Sequence, residues 1–510
     1  MKIVVTKKNE SHLYIDAEIG ILYELADFFC FYAHNYKFHP LFKSKRWDGK
    51  IRLFNTNKCT LPVGLFNHLR EFANARGYEL TTEISDRYGM PNDYEGIDGA
   101  ELATFFNKYI KLSSKGKAIE PRDYQVEAAL KAINEKRLLI LSPTASGKSL
   151  IIYMMMRWFL QEKRKPVLVV VPTTSLVEQM SGDFVDYSEF DEGFDREDIQ
   201  LIYSGKEKHN ITCPVVVSTW QSIYKMGSSW FQQFGMIVGD EAHSFKAKSL
   251  TAIMDACTEA QYRIGTTGTL DGTAVHKMVL EGMFGPVHKA ITTKQLMDRG
   301  DVADLKVKVL MLEYTEEQRK LISVKKTRHT YPEEIKFLTS HAGRNKFIKN
   351  LATSLEGNTL LLFNYVDSHG KPLYNMIKEK IEATDPGRKV FYVSGETAVQ
   401  TREDIRTLVE KEKDAIIVAS LGTFSTGINI RNLHNIIFGS PSKSQIKVLQ
   451  SIGRGLRKSD DGRHTTLYDI ADDLHWKQRK NYTLNHASER VMVYNKELFD
   501  YKLIKVKLDG

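Results

Sequence analysis

A chain of 510 residues exceeds the size at which one hydrophobic core stops growing, so two to four domains are expected and a single small fold is excluded. Its hydrophobic fraction of 42% and charged fraction of 26% exclude a largely disordered chain, and no apolar run approaches the length of a membrane span. The net charge of +9 suits a polyanionic partner without specifying one.

Residues 1–112 alternate short strand and helix patterns without a series of apolar runs, and are read as an α+β accessory domain. His12 to Asp16 reads as a strand and Ile21 to Ala33 as a helix. From Tyr36 to Trp47 cations and aromatics interleave. Lys43, Lys45 and Arg46 can neutralise phosphates there while Trp47 stacks on bases. An alternative stays open, in which Phe38, Phe42 and Trp47 fill the small domain's core and Asp48-Gly49 makes a hairpin turn. A Gly/Asp/Pro-containing stretch over 85–99, a short helical pattern and Ser113-Ser114-Lys115-Gly116 place a boundary near Gly116.

From residue 117 to 300 apolar runs (Leu138–Leu141, Val167–Val171, Val215–Ser218, Met236–Val238, Arg263–Thr266) alternate with helical segments, the pattern of an α/β domain on a parallel sheet. Residues 301–472 repeat it with Leu360–Phe363, Val390–Val393, Ile416–Ala419, Ile436–Phe438 and Thr466–Ile470. The expected architecture is therefore two α/β cores in tandem after the accessory domain. Residues 473–510 form a basic extension expected to be helical, with eight Lys/Arg against four Asp/Glu from Lys477 onward. Leu484, Val491 and Tyr494 suit an amphipathic helix packed on the second core, and a basic solvated face is the reading preferred slightly over it. The cysteines, Cys30, Cys59, Cys213 and Cys257, form no CxxC pair, which excludes a zinc knuckle and leaves buried free thiols as the expectation.

Two motifs carry chemistry. Ser142-Pro143-Thr144-Ala145-Ser146-Gly147-Lys148-Ser149 follows the first apolar run and opens a helix. This is the setting of a phosphate-binding loop: backbone N–H groups from Thr144, Ser146 and Gly147 cradle phosphates, Lys148 reaches the β/γ oxygens, and the Ser149 hydroxyl ligates Mg²⁺. Ser142 stands where the usual pattern has its first glycine. Asp240-Glu241-Ala242-His243 closes the run Met236–Val238, at the sheet edge where α/β ligands sit. Asp240 can hold Mg²⁺ there and Glu241 can deprotonate the attacking water.

With both in place the chain resembles the superfamily 2 helicases, and further segments follow that family's order. Arg122-Asp123-Tyr124-Gln125 is similar to the Q motif, implying that Tyr124 stacks on adenine and Gln125 bonds its edge. Val171 to Gln179 looks like motif Ia and Ser218 to Gln221 like motif Ib, so Pro172, Thr173, Thr174 and Thr219 are implied to touch nucleic acid. Thr267-Gly268-Thr269 resembles motif III, a link between the ATP and strand sites. In the second core Phe363 falls in motif IV, while Ser420, Thr426 and Gly427 fall in motif V. The resemblance puts Phe363, Ser420 and Thr426 on the strand and Gly427 at the nucleotide. Gln450 to Arg457 matches motif VI, on a helix that sets Gln450, Arg454 and Arg457 about a turn apart. The arginines would act as fingers on the γ-phosphate when the cleft closes, worth roughly 10³–10⁵ in rate.

The resemblance is strongest to the UvsW family of T4-type bacteriophage helicases. It is carried also by Arg46-Trp47-Asp48-Gly49-Lys50-Ile51-Arg52-Leu53, Asp183-Phe184-Val185-Asp186-Tyr187, Trp230 to Met236, Gly282 to Gly285, Phe424 to Ile428, and Asn481-Tyr482 with Leu484. It implies an ATP- and Mg²⁺-dependent DNA motor that regresses forks, migrates Holliday junctions and unwinds D-loops and R-loops, tracking 3′ to 5′. The partners implied are branched, single- and double-stranded DNA, RNA–DNA hybrid, and recombination or single-strand-binding proteins. A cytoplasmic location is expected, the host's if the chain is phage-encoded. Alternatives are a duplex DNA translocase that does not separate strands, an RNA helicase, against which the Pro-Thr-Thr-Ser of motif Ia argues, and a non-enzymatic nucleic-acid clamp.

Overall fold

Alternation of buried Ile3, Val5, Leu13 and Ile15 with partly or fully exposed neighbours gives the N-terminal strands one inward face. In the computed structural model, which describes residues 1–33, 36–82, 96–109, 111–245, 248–270, 274–323, 330–425, 432–440, 452 and 464–508, β1 (Lys2–Lys7) lies between antiparallel β2 (His12–Ala17) and parallel β6 (Glu79–Thr82). The strand β5 (Thr60–Pro62) completes this sheet in the order β5-β2-β1-β6. The helix expected over Ile21–Ala33 runs instead over Ile19–Phe28. It stops because Phe29 turns into the core, its carbonyl accepting from Leu53 N, and Cys30–Tyr32 forms β3 against β4 (Lys50–Arg52). Asp48-Gly49 is accordingly no two-residue hairpin, since a 3₁₀ turn over Tyr36–Phe38 and a short helix over Pro40–Lys43 lie between the paired strands. Gly49 has φ 80°, and a Cβ on it would lie 2.4 Å from the Tyr36 ring.

After a small hairpin, β7 (Ser113–Ser114) and β8 (Lys117–Ala118), the apolar runs become a parallel sheet. Its strands are β9 (Arg137–Leu141), β10 (Val167–Val171), β11 (Ile199–Ile202), β12 (Val215–Thr219), β13 (Met236–Asp240), β14 (Tyr262–Thr267) and β15 (Val287–Lys289), in the order β11-β12-β10-β13-β14-β9-β15. The helices that bear on the site are α1 (Asp123–Glu135), α2 (Lys148–Lys163) and α3 (Thr174–Tyr187). The N-terminal domain is fastened to this α/β domain. Buried Arg263 donates through Nη2 to Ser11 Oγ (2.7 Å) and to the carbonyls of Met254 and Cys257 (2.6 Å each). Only glycine fits at 64, where a Cβ would meet the Glu281 carbonyl oxygen at 1.9 Å.

A second all-parallel sheet comprises β16 (Leu305–Glu313), β17 (Thr359–Phe363), β18 (Val390–Val393), β19 (Ile416–Ser420), β20 (Asn435–Phe438), β21 (Thr465–Asp473) and β22 (Asp500–Lys507), ordered β18-β19-β17-β20-β21-β16-β22. The chain divides into two compact units, Met1–Ser142 with Gly147–Ala290, and Pro143–Ser146 with Ile291–Gly510. The fold is a tandem of RecA-like sheets behind a small N-terminal α/β domain. The C-terminal extension holds the expected helix, α4 (Tyr482–Lys496), but it ends in the edge strand β22. The solvated-face reading of that helix does not hold. Its Arg490 is buried on β21, where Nη2 lies 2.6 Å from Asp469, and Tyr494 OH donates to the same carboxylate. Of the cysteines only Cys257 is buried, so the expectation of buried thiols fails for the other three. Among the described residues no helix is long and apolar enough to cross a membrane.

Candidate nucleotide and nucleic-acid site

β9 ends at Leu141, and Ser142 N donates to the Thr267 carbonyl at the end of neighbouring β14 (2.9 Å), which fixes where the loop begins. The loop then winds on itself. Ala145 and Gly147 take left-handed φ of 67° and 78°, the buried Ser146 hydroxyl donates to the Pro143 carbonyl (2.7 Å), and Lys148 Nζ donates to the Ser142 carbonyl (3.4 Å). Thr144 is half-buried in the same turn. A Cβ on Gly147 would lie 2.3 Å from Gln125 Nε2, so the Gln125 amide rests directly on the loop, its oxygen accepting from Arg122 N (2.8 Å). Tyr124 is only 4% exposed and its hydroxyl accepts from Arg122 Nη1. It does not stand open to a base, as the Q-motif reading expects.

Register brings the second motif alongside. Asp240 pairs with Thr266 across β13 and β14, and the Thr266 hydroxyl donates to Asp240 Oδ1 (2.6 Å). Burial and the adjacent Glu241 carboxylate both push the Asp240 carboxyl up, while the nearby Lys148 cation opposes them. Glu241 leaves the strand with φ 50° and ψ 47°, a left-handed conformation that costs a non-glycine residue about 1 kcal/mol or more and concentrates at functional sites. Its Oε2 lies 3.3 Å from His243 Nδ1, which lies 3.0 Å from the Thr267 hydroxyl. That hydroxyl spends its hydrogen on the Thr269 carbonyl (3.0 Å), so His243 Nδ1 carries the proton and donates to it. Glu241 and the Thr267–Thr269 turn thus meet at one imidazole nitrogen, which bonds to Thr267 and stands beside the carboxylate. Thr266 and His243 were not singled out from the sequence as functional. The signal available for Thr266 was its place at the end of the strand beside Asp240.

The segments expected to touch nucleic acid divide. Val171 pairs with Thr219, so Pro172–Thr174 and Thr219–Gln221 leave adjacent strand ends, and Gln221 Nε2 donates to the Pro172 carbonyl (3.3 Å). Thr173 caps α3 through Leu176 N, Thr174 is exposed, and the Thr219 side chain is buried against Ser222. Ser420 is likewise turned inward, donating to Thr423 Oγ1 (2.6 Å). Phe363 is 0% exposed, stacked on Tyr392 at 5.7 Å and pressed on Gly370. Its expected place on the nucleic-acid strand is therefore corrected to a core role. Thr426, Gly427, Gln450, Arg454 and Arg457 lie outside the described residues.

In the N-terminal domain Phe38, Phe42 and Trp47 take no part in the core, which is built from residues such as Leu25, Phe29, Leu61 and Phe72. Phe38 is 74% and Tyr32 53% exposed. Tyr32 stacks on Tyr36 (4.5 Å), Trp47 packs edge-on to His39 (5.1 Å), and Trp47 Nε1 donates to the Lys50 carbonyl (3.0 Å). Lys43, Lys45 and Arg46 stand exposed around these rings.

A phosphate-type loop after β9 and a carboxylate pair at the end of β13, separated in one parallel sheet only by β14 and followed in the chain by a second parallel sheet, define a tandem RecA-like nucleotide-driven motor. Three family models match: the res subunit of type III restriction enzymes over residues 118–272, the helicase conserved C-terminal domain over 343–459, and the N-terminal domain of the DNA helicase UvsW over 2–83. The ATP-dependent DNA helicase UvsW of Enterobacteria phage T4 is 36% identical over 100% of both chains. The crystal structure of T4 UvsW matches at TM-score 0.51 and 35% identity, again over 100% of both. The DNA 3′-5′ translocase XPB2 of Sulfurisphaera tokodaii is 23% identical, covering 67% of this chain and 80% of its own. The chain belongs to the UvsW family of superfamily 2 helicases and is an ATP-dependent DNA helicase.

Proposed function

We propose that this helicase remodels branched DNA, regressing forks, migrating Holliday junctions and unwinding D-loops and R-loops, with 3′ to 5′ tracking. The observation that carries this reading is that the 36% identity to T4 UvsW runs through the N-terminal domain as well as the motor. The name of the archaeal relative, a 3′-5′ translocase, supports the direction.

Each group of the site has a role in this reading. Lys148, now resting on Ser142, swings to the β/γ-phosphates, and the loop's backbone N–H groups hold them. Ser149 and Asp240 offer hard oxygen donors suited to Mg²⁺, and the residues fit that ion: the Asp240 carboxylate is buried and raised, a burden a divalent cation relieves. Bound there with ATP, the ion would neutralise phosphate charge. Glu241 takes the proton of the attacking water. By their resemblance to motifs V and VI, Arg454 and Arg457 are assigned to the γ-phosphate, Gln450 to catalysis beside them, and Gly427 to nucleotide binding. Exposed rings and cations from Tyr32 to Lys50 contact the DNA branch, and recombination or single-strand-binding proteins and RNA–DNA hybrid are its further partners.

An ATPase and strand-displacement screen on fork, Holliday junction, R-loop and RNA duplex tests the reading. Branched DNA is expected to give the highest stimulation, with displaced strands. Triplex displacement without strand separation would instead establish the translocase alternative, which the similarity to XPB2 keeps in view.

A further inference from the structure

The segment Asp183 to Tyr187 carries none of the motif chemistry, yet the Tyr187 hydroxyl oxygen lies 2.9 Å from Ser149 Oγ, across 38 residues of sequence. The surrounding structure holds Tyr187 in place from both sides. Its neighbour Asp186 accepts from Ser114 Oγ (3.0 Å) and Lys115 N (2.6 Å) with its carboxylate, and from Ser113 Oγ (2.5 Å) with its carbonyl, which ties the end of α3 to the β7–β8 hairpin. Asp191 beyond it accepts from Tyr153 OH (3.0 Å) and from Arg157 Nε and Nη2 (2.6 and 3.0 Å), both on α2, the helix that carries Ser149. The Tyr187 ring packs 5.7 Å from Tyr153. The ends of both helices are thus locked together around one pair of hydroxyls.

A serine hydroxyl has one hydrogen and two lone pairs. To ligate a cation it must aim a lone pair at the metal, so its hydrogen has to go to an acceptor elsewhere. We propose that Tyr187 is a positioning residue for Ser149: its phenol oxygen takes the Ser149 hydrogen and holds a lone pair toward the cation that accompanies the nucleotide. This rests on the reading of Ser149 as a cation ligand. It gives the ordered end of α3 a function in Mg²⁺ affinity, where partners of a metal's ligands commonly matter.

The test measures binding of N-methylanthraniloyl-ADP to the full chain across a Mg²⁺ titration, with thermal melting of each protein without nucleotide. Tyr187→Phe keeps the ring against Tyr153 and should melt like wild type, while the Mg²⁺ concentration that half-tightens binding rises roughly tenfold, the low end for such partners. Ser149→Ala should shift the midpoint further, and adding Tyr187→Phe to it should change nothing more. A wild-type midpoint in Tyr187→Phe beside a shifted one in Ser149→Ala overturns the role of Tyr187 alone. No shift in Ser149→Ala overturns the cation-ligand reading beneath it. A Tyr187→Phe shift that persists in the Ser149→Ala background would mark a merely structural residue and equally overturn the proposal.

Discussion

His243 Nδ1 donates to the Thr267 hydroxyl across 3.0 Å, which ties the carboxylate motif at the end of β13 to the turn that follows β14. Thr267 passes its own hydrogen to Thr269, so the imidazole that stands 3.3 Å from Glu241 is the link between the carboxylate motif and that turn. His243→Ala should leave nucleotide affinity near wild type yet lower DNA-stimulated turnover roughly fivefold, the worth of one net hydrogen bond of about 1 kcal/mol. Stimulated kinetics beside nucleotide titration would check it, and unaltered stimulation would make the link incidental.

Lys148→Ala should nearly abolish ATP turnover, since the γ-phosphate loses its cation. Glu241→Gln keeps the shape of the side chain while removing the base, so it should bind ATP and DNA and hydrolyse roughly 10²- to 10⁴-fold more slowly. Phosphate release measured beside equilibrium binding separates the two, and loss of ATP binding in Glu241→Gln would assign that residue a structural role.

Around the N-terminal aromatics, replacing Lys43, Lys45 and Arg46 by alanine should weaken junction binding and reduce the log–log salt slope by about 0.9 for each phosphate left without its cation. Phe38, 74% exposed, should cost about 1–3 kcal/mol of binding when changed to alanine if a base stacks on it. The melting temperature of that variant should not move. Junction affinity across a salt series is the measurement, and an unaltered slope in the triple variant would remove this patch from the DNA site.

Burial, and then the Arg344 cation, hold His369 at a pKa of about 3, against 6.5 for an ordinary histidine. Between those values the unfolded chain binds a proton that the folded chain does not, so this histidine's contribution is complete above pH 6.5 and is lost as pH falls toward 3. From pH 7 to pH 5 the loss is about 2 kcal/mol. Urea unfolding at the two pH values should show a smaller difference in His369→Gln than in wild type, and equal differences would contradict the assignment.

Both parallel sheets were legible wherever a strand is a continuous apolar run, as at Val167–Val171 or Ile416–Ser420, because strands covered on both faces need such runs. β16 escaped for the opposite reason. Leu305, Val307 and Val309 are buried and alternate with Lys306 and Lys308, which cover less protein, so its period of two, not its apolarity, marks it. β22 is largely exposed and carries almost no burial signal at all. The loop and carboxylate motifs were readable because phosphate chemistry fixes residue type and spacing together. Thr266, His243 and Tyr187 were not, since their roles arise from strand register and helix packing that join residues far apart in the chain.

Whether ATP hydrolysis in this chain drives remodelling of branched DNA is decided by strand displacement from a synthetic fork. Wild type and Glu241→Gln should be compared at matched DNA occupancy. The expected result is ATP- and Mg²⁺-dependent displacement by the wild type, greater on the fork than on linear duplex or RNA duplex, and almost none by Glu241→Gln. Equal displacement by both proteins, or a wild type active on RNA duplex and inert on the fork, would contradict it.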